Sequence, residues 1–323
     1  MKMKKLLTIG VLTLATIGLS GCGNNKNDME INIGYFNNVT HAQALVMKAE
    51  KTLETELGEG VSVNWTAFNA GPAEVEALFA EDIDIGYIGP VPAVSANTKS
   101  NGDVVILTGA TKGGAVMVKR AGTEINDVKD LDGKTVAIPQ IGNTQHLSLL
   151  HLLDENELEP VTDGGTVNIT AVANADVANM MDRGDIDAAL VPEPWGATLE
   201  EKGAEIVLNY DEIYMQGQYD VAVVVVRKEF MEEHPDYVEA FLKAHEAVTV
   251  KIVEEQEKCL QIMNAELQSA TGKSLSDSII KKAFERIVVD TTLNKPSIMG
   301  FAEISEDEEF IDEEPKEANL FAK

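Results

Sequence analysis

The expected architecture of this chain follows most directly from the segment Thr135-Val-Ala-Ile-Pro-Gln-Ile-Gly-Asn-Thr-Gln145. Its first four residues are β-branched or apolar, which predicts a short buried strand. Leucines at positions 147, 150 and 153 then recur at helical spacing, which predicts a helix after the turn. A helix that starts at such a turn presents unpaired backbone N–H groups and the positive end of its dipole. The turn is therefore suited to an anionic ligand group.

The turn before this helix has two explanations, one functional and one structural. Gly142 allows a ligand to approach the backbone closely, and the side chains of Asn143, Thr144 and Gln145 can donate hydrogen bonds to it. Thr144 also belongs to the residue types that commonly cap a helix without any ligand. The turn by itself favours capping, whereas the rest of the chain favours ligand binding.

Strands and helices alternate along the first part of the chain. Strand patterns are expected at residues 30–35, 61–68 and 82–88. Thr40 is expected to cap a helix over residues 42–57, and Gly89 precedes another helix signal. This alternation predicts an α/β protein with mostly parallel sheets flanked by helices, in which ligands bind at the carboxyl ends of the strands.

A unit of the first part recurs about 104 residues later. Val63-Asn-Trp-Thr-Ala67 matches Val167-Asn-Ile-Thr-Ala171, and Asp82-Ile-Asp84 matches Asp185-Ile-Asp187. Two matches in nearly the same register indicate two related α/β lobes. A cleft between two such lobes is a preferred place for a small-molecule site.

We expect the chain to cross between these lobes twice and to form a hinge there. Strand patterns at residues 115–119 and 218–227 are suited to the two crossings. The expected lobe one therefore comprises residues 30–115 and 217–323, and lobe two comprises residues 116–216.

The C-terminal part is predicted to be largely helical. Helical patterns cover residues 228–256 and 277–288. The acidic run at residues 306–314 contains Phe310 and Ile311, so we expect it to have one solvated side and one docked side.

The N-terminus has the pattern of an export signal. Three lysines precede an apolar run over residues 6–19, which is short for a membrane-spanning helix. Leu19-Ser-Gly-Cys22 resembles the lipobox of bacterial lipoproteins, in which the signal is removed before a cysteine that then carries acyl chains. We therefore expect a signal peptide at residues 1–21, a lipid-anchored tether at residues 22–29 and attachment through Cys22. An ordinary signal peptide with a chance cysteine is the alternative.

Composition and motifs argue against several other classes of protein. The formal net charge of −28 opposes binding to nucleic-acid phosphates, and no basic patch offsets it. His146 and His151 have a poor spacing for zinc, and no cysteine or carboxylate motif completes a metal site. The chain has neither a complete Gly-x-x-x-x-Gly-Lys-Ser phosphate loop nor a Gly-x-Ser-x-Gly elbow. We expect no nucleic-acid partner, no metal, no cofactor and no enzymatic activity.

Six motifs stand in one order along the chain. They are Gly34-Tyr-Phe36 with Thr40-His41, Phe68-Asn-Ala-Gly-Pro72, Asp82-Ile-Asp-Ile-Gly-Tyr-Ile-Gly-Pro90, Asp130-Leu-Asp-Gly-Lys-Thr-Val-Ala-Ile-Pro139, Gly142-Asn-Thr-Gln145 and Pro192-Glu-Pro-Trp195. As a set they resemble the nitrate/sulfonate/taurine solute-binding proteins of ABC transporters. The resemblance implies a two-lobe periplasmic-binding-protein fold of type II, with a ligand closed between the lobes. It also implies delivery of that ligand to a membrane permease driven by an ATPase.

The same resemblance implies which residues bind the ligand. These residues are Thr40, His41, Asn69, Gly89, Asn143, Thr144, Gln145 and Glu193. No arginine or lysine stands at these positions, so helix N-termini and uncharged donors would hold a small oxyanion. An aliphatic sulfonate is favoured, with nitrate, taurine or bicarbonate as alternatives.

Two of these residues have alternative roles, and other functions stay open. Glu193 can take the ammonium group of a zwitterion such as taurine, or it can stabilise a helix N-terminus. His41 can be a neutral donor, a cation or a purely structural residue. The alternative functions are a binder of a pyrimidine- or thiamine-precursor-like heterocycle, a sensory lipoprotein, and an enzyme like the thiamine-pyrimidine synthases, whose cysteine-rich cluster this chain lacks. We expect a monomer at the outer face of the cell membrane.

Overall fold

The structure, a computed structural model that describes residues 29–322, contains two β-sheets flanked by helices. The strands in this range are β1 (Met29–Phe36), β2 (Val61–Phe68), β3 (Ile85–Ile88), β4 (Val104–Gly113), β5 (Ala115–Lys119), β6 (Thr135–Ile138), β7 (Asn168–Ala171), β8 (Ala188–Pro192), β9 (Glu205–Leu208), β10 (Asp220–Arg227) and β11 (Ile287–Val289). The strand expected over residues 135–138 is confirmed as β6.

Both sheets are mixed, which corrects the expectation of mostly parallel sheets. The first sheet has the order β11-β4-β10-β3-β1-β2, and the second has the order β7-β6-β8-β5-β9. The parallel pairs are β1 with β2 and β3, and β6 with β7 and β8. The remaining pairs are antiparallel. Each of these antiparallel pairs includes β4, β5 or β10, the strands next to the two passages of the chain between the sheets. These passages are not β-α-β crossovers within one sheet, which parallel neighbours require.

The helices cover the faces of both sheets. They are α1 (Ala42–Glu50), α2 (Thr52–Leu57), α3 (Gly71–Phe79), α4 (Pro90–Lys99), α5 (Thr144–Asp154), α6 (Val177–Arg183), α7 (Trp195–Glu201), α8 (Tyr210–Ile213), α9 (Lys228–Glu233), α10 (Pro235–Glu254), α11 (Gln256–Thr271), α12 (Asp277–Glu285), α13 (Lys295–Asp307) and α14 (Glu317–Leu320). Short 3-10 helices lie at Val39–His41, Val128–Leu131, Val161–Asp163, Asn174–Asp176 and Met215–Gly217.

Apolar side chains are buried on both faces of each sheet. On the first sheet, Ile33 lies in the core of one face and Phe36 in the core of the other. The leucines expected on one side of α5, at positions 147, 150 and 153, are all buried in a core of the second sheet. Burial on both faces leaves the ends of the strands as the place where polar side chains can meet a ligand.

The internal repeat corresponds to equivalent positions in the two sheets. Its first segment forms β2 and its second forms β7, and both are edge strands that run parallel to their neighbours. The matched aspartates also act alike. Asp84 accepts a hydrogen bond from the backbone N–H of Asn32 (2.9 Å), and Asp187 accepts one from the backbone N–H of Thr135 (3.0 Å). The repeat therefore marks two similar β-α-β units.

Three features of the helices differ from expectation. Thr40 does not cap a helix, because residues 39–41 form a 3-10 turn and α1 begins after His41 without a side-chain cap. The helix expected over residues 42–57 is broken at Lys51, whose φ of 54° is left-handed. The helix expected over residues 277–288 ends at Glu285, because the next residues pair with β4 as strand β11.

The chain passes from the first sheet to the second after β4 and returns before β10. Helix α13 contacts the cores of both sheets, with Ile298 in a core of the first and Phe301 in a core of the second. The division into lobes of residues 30–115 with 217–323 and residues 116–216 therefore stays a proposal. In the acidic run Ile311 is buried and Phe310 is half-buried, as expected.

The expected signal peptide, most of the tether and Cys22 lie outside the described residues. Across residues 29–322, none of the helices combines the length and the apolar character that crossing a membrane requires.

Candidate functional site

The carboxyl ends of the parallel strands in the two sheets face each other and touch. The backbone N–H of Val39, just after β1, donates to the carbonyl oxygen of Glu193, just after β8 (3.2 Å). The indole N–H of Trp195 donates to Oδ1 of Asn38 (2.7 Å). These contacts join the loops that follow two strands of different sheets. The described conformation is therefore one in which the sheets are closed upon each other.

Gly89 and Thr144 approach each other closely at this boundary. Gly89 precedes α4 and Thr144 begins α5. A Cβ atom on Gly89 would overlap Oγ1 of Thr144, so only glycine fits there in this conformation. The hydroxyl of Thr144 is buried and has no hydrogen-bond partner among the described residues. It is a polar group placed between the two sheets and left free to bind something else.

The start of α5 has a different cap from the one that Thr144 was expected to provide. Oδ1 of Asn143 accepts from the backbone N–H of His146 (2.9 Å), so Asn143 is the N-cap. The Asn143 amide nitrogen donates to Oε1 of Gln145 (2.8 Å). Within residues 29–322, the backbone N–H groups of Thr144 and Gln145 have no hydrogen-bond acceptor. The capping alternative thus applies to Asn143, while Thr144 and two N–H groups remain available.

His41 is buried and neutral. Its Nδ1 accepts a hydrogen bond from the backbone N–H of Phe36 (3.2 Å), and its ring lies 4.4 Å from that of Phe36. Burial lowers the pKa of His41 to about 3, so the imidazole carries no charge at neutral pH. With Nδ1 as acceptor, the proton resides on Nε2. Of the roles considered for His41, the cation is the one that this burial opposes.

Thr40 lies beside His41 at the same boundary. Its carbonyl oxygen accepts from the hydroxyl of Thr111 (2.6 Å). A Cβ atom on Gly114, where the chain passes into the second sheet, would come 3.0 Å from Cγ2 of Thr40. Asn69 is the one expected site residue that is exposed. The structure thus brings Thr40, His41 and Gly89 to the boundary and leaves Asn69 on the surface.

Glu193 is fully buried, and its carboxylate is already engaged. Oε2 accepts from the backbone N–H of Ala197 (3.0 Å) at the start of α7, and Oε1 accepts from Nη1 of Arg286 (2.6 Å). Burial raises the pKa of Glu193, and the Ala197 N–H and Arg286 oppose that rise. These contacts favour the helix-stabilising role over direct contact with a ligand ammonium group, and the latter stays a prediction.

Sequence reasoning missed several polar residues. Asn37 and Asn174 each have a buried side-chain oxygen with no partner among the described residues. Both follow strands, β1 and β7, so the rule that selected Asn143 would also have selected them. Arg286 had no such signal, because it stands 93 residues from Glu193 in the sequence. Only the packing of α12 against α7 brings these two residues together.

The donors at the start of α5, which are the Thr144 hydroxyl and the backbone N–H groups of Thr144 and Gln145, are uncharged. A cavity of about 220 Å³ opens beside it, lined by Pro72, Gly142 and Phe310 among others. Among the described residues, no group of three or more histidine, cysteine, aspartate and glutamate side chains is placed to bind a metal ion. Hydroxyl and backbone N–H donors at a helix N-terminus suit the oxygen atoms of a small anion.

Comparisons with known proteins agree with this geometry. The model of the NMT1-like family matches residues 24–262. The taurine-binding periplasmic protein of Escherichia coli (strain K12) is 35% identical over 205 residues, which are 62% of this chain and 60% of that protein. The chain thus spans less than two thirds of that relative. The putative aliphatic sulfonates-binding protein of Bacillus subtilis (strain 168) is 28% identical over 257 residues, 77% of this chain and 74% of that protein.

A solved structure supports the fold. The alkanesulfonate-binding protein SsuA from Xanthomonas axonopodis pv. citri, bound to MOPS, has a TM-score of 0.73 and 18% identity, and the match covers 90% of this chain and 96% of that chain. The α/β fold of the periplasmic binding proteins expected from the sequence is therefore confirmed, as is the resemblance to taurine- and sulfonate-binding proteins. All three proteins carry the names of binding proteins, not of enzymes, as was expected for this chain.

Proposed function

The chain belongs to the NMT1-like family, and from that premise we propose that it is the extracytoplasmic solute-binding component of an ABC importer. The proposed ligand is a small oxyanion captured between two lobes, residues 30–115 with 217–323 and residues 116–216. Closure around the ligand would present the loaded protein to a membrane permease powered by an ATPase. Binding energy favours the closed arrangement because the ligand contacts both lobes only there.

One arrangement carries this proposal. The hydroxyl of Thr144 has no protein partner, and it lies against Gly89 at the boundary of the two sheets. Beside it, the N–H groups of Thr144 and Gln145 are free at the start of α5, a helix of 11 residues. Buried donors without partners are rare and costly, so an acceptor that completes them stabilises the closed form.

The electrostatics narrow the choice of ligand. The formal net charge of −28 repels an anion at long range, so the anion must be held by short-range donors and the helix dipole. Among the oxyanions considered, we favour an aliphatic sulfonate, because two relatives carry sulfonate-type ligands in their names. Taurine, nitrate and bicarbonate follow, and an uncharged heterocycle ranks behind them.

We also propose how the protein is placed in the cell. Cys22, within the lipobox-like segment, would carry the acyl chains that hold the protein at the outer face of the membrane. A monomer on a short tether would stay near its permease while its lobes open and close freely.

Titration calorimetry on the mature protein tests the proposed ligand class. The panel contains methanesulfonate, 1-propanesulfonate, taurine, nitrate, bicarbonate and a thiamine-precursor pyrimidine. Saturable binding of at least one sulfonate, tighter than that of the pyrimidine, is the expected result. Binding of the pyrimidine alone would replace the oxyanion proposal with the heterocycle alternative.

A further inference from the structure

A cluster of four charged side chains joins the two sheets beside the candidate site. Arg286, the residue that follows α12, donates from Nη1 to Oε1 of Glu193 (2.6 Å), and its Nη2 lies 2.8 Å from Oε2 of Glu200. Nζ of Lys282 donates to the other oxygen of Glu200 (3.1 Å). Glu193 and Glu200 follow β8, whereas Lys282 and Arg286 come from the layer that covers the first sheet. Two positive and two negative groups balance each other.

The balance matters because three of the four side chains are poorly hydrated, whereas that of Lys282 is 49% exposed. The side chain of Glu193 is 0% exposed, that of Arg286 is 11% exposed and that of Glu200 is 18% exposed. Charges in such surroundings are screened less than those on the surface, so each unit acts over a longer distance. Loss of one member would therefore leave a net charge that interacts electrostatically with nearby charged groups.

The cluster adjoins the residues expected to bind ligand. The backbone of Glu193 donates to the carbonyl oxygen of Gly114 (2.8 Å) and accepts from Val39 (3.2 Å). Ile287, next to Arg286, lies against Gly114 from the same side as Thr40. A charge change at Arg286 or Glu193 is therefore made at the edge of the site.

We infer that Arg286 is a specificity-determining residue, which neutralises the buried carboxylate of Glu193 and the partly buried carboxylate of Glu200 so that the site accepts an anion without an ammonium group. This inference rests on the proposed function and extends it to ligand choice. With the cluster neutral, a plain alkanesulfonate and a zwitterionic aminosulfonate meet similar fields. A surplus negative charge in the cluster weakens binding of the plain alkanesulfonate more than binding of the zwitterion, because it attracts the ammonium group of the zwitterion.

Two probes of nearly equal shape test this inference. Taurine carries an ammonium group at the position where 1-propanesulfonate carries a methyl group. The measured quantity is the ratio of their affinities by calorimetry. In Arg286→Gln the affinity for taurine relative to that for 1-propanesulfonate should rise about tenfold. This is the change expected when one surplus negative charge lies on the order of 10 Å from the ammonium group at an effective dielectric constant of about 20.

In Glu193→Gln, which leaves a surplus positive charge, this relative affinity for taurine should fall. The double variant should return it close to the parent value.

Controls separate this effect from loss of structure. Arg286→Lys keeps the charge and should keep the ratio. Arg227→Gln removes a comparable arginine, paired with Asp84 at 2.9 Å with side chains 16% and 7% exposed, and should leave the ratio unchanged. If Arg286 had a merely structural role, Arg286→Gln would weaken the binding of both probes equally. An unchanged ratio in Arg286→Gln, with normal binding by the parent, would overturn this inference but not the proposed function. If the parent binds neither probe, the sulfonate proposal and this inference both fail.

Discussion

Gly89 follows a strand of the first sheet and Thr144 begins the helix after a strand of the second, yet a Cβ atom on Gly89 would overlap the hydroxyl oxygen of Thr144. In the proposed mechanism, this relationship is a property of the closed arrangement. The described conformation therefore requires a residue without a Cβ atom at position 89. The hydroxyl of Thr144 is buried there and has no hydrogen-bond partner among the described residues.

Gly89→Ala should hinder closure without harming the rest of the fold. Gly89 has a φ of −71°, which alanine adopts readily, so the clash with Thr144 is the only expected penalty. Overpacking of this kind costs about 1–3 kcal/mol, which predicts roughly tenfold to hundredfold weaker ligand binding. Small-angle scattering should show less compaction at a given ligand concentration. The double variant with Gly89→Ala and Thr144→Ala should regain compaction, because the clash is removed. If the Gly89→Ala variant compacted as much as the parent, this account would be contradicted.

Thr144→Ala should weaken binding while leaving the free protein intact. A hydrogen bond to a charged ligand group contributes about 1.5–3 kcal/mol, so the expected loss is roughly tenfold to hundredfold in calorimetry. Thr144→Ser keeps the hydroxyl and should retain most of the affinity. The melting temperature without ligand should not fall, since the hydroxyl makes no hydrogen bond there. Parent-like affinity in Thr144→Ala would place the ligand elsewhere.

Trp195→Phe should loosen the closed form by removing the bond from its indole to Asn38 (2.7 Å). One neutral hydrogen bond contributes about 1 kcal/mol, which predicts about fivefold weaker binding through faster ligand release in stopped-flow experiments. Trp65→Phe is the matched control, because the indole N–H of Trp65 has no partner among the described residues. Equal effects of the two substitutions would show that the Asn38 contact is irrelevant to closure.

Glu74→Met should stabilise the protein, and more so as pH rises. The carboxyl of Glu74 is fully buried against Gly34 and Gly86, and neither oxygen has a partner in the described part of the chain. Burial raises its pKa well above 4.5, so folding favours the protonated form. Stability linked to this group is complete below its ordinary pKa and is lost as pH rises through the folded-state pKa.

Methionine removes this cost, and the gain at pH 8 should be about 1–3 kcal/mol in denaturant unfolding. The gain should shrink towards pH 4. Exposed Glu76 on the same helix provides the control, since Glu76→Met should change stability little at any pH. A gain from Glu74→Met that is independent of pH would mean that the carboxyl is not protonated by burial.

Cys22→Ala should release the protein from the membrane. Without the cysteine that carries acyl chains, nothing in the proposed tether would hold the mature chain at the surface. Cell fractionation followed by immunoblotting measures the shift from the membrane to the medium or periplasm. Cys259→Ala, which alters a buried cysteine in α11, should leave the distribution unchanged. Membrane retention of the Cys22 variant would refute the lipobox interpretation.

Local pattern was enough to predict much of the fold. Strand β6 and the buried leucines of α5 follow from β-branched residues and helical spacing, because these signals involve residues close in sequence. The repeat correctly related β2 to β7 and Asp84 to Asp187, since duplicated units keep duplicated contacts. The sequence also singled out Thr144, although the side chain that caps α5 proved to be that of Asn143.

Tertiary structure alone decided which distant groups meet. The antiparallel pairing of β10 with β3 and of β5 with β8 depends on how distant strands assemble into each sheet. The bond from Trp195 to Asn38 and the pairing of Arg286 with Glu193 depend on how the two sheets and their helices pack together. No sequence periodicity encodes such contacts, because their partners are dozens to hundreds of residues apart and their geometry is set by packing. For the same reason, the sequence predicted polar donors at the strand ends but not the partly buried arginine, Arg286, that balances the acids beside them.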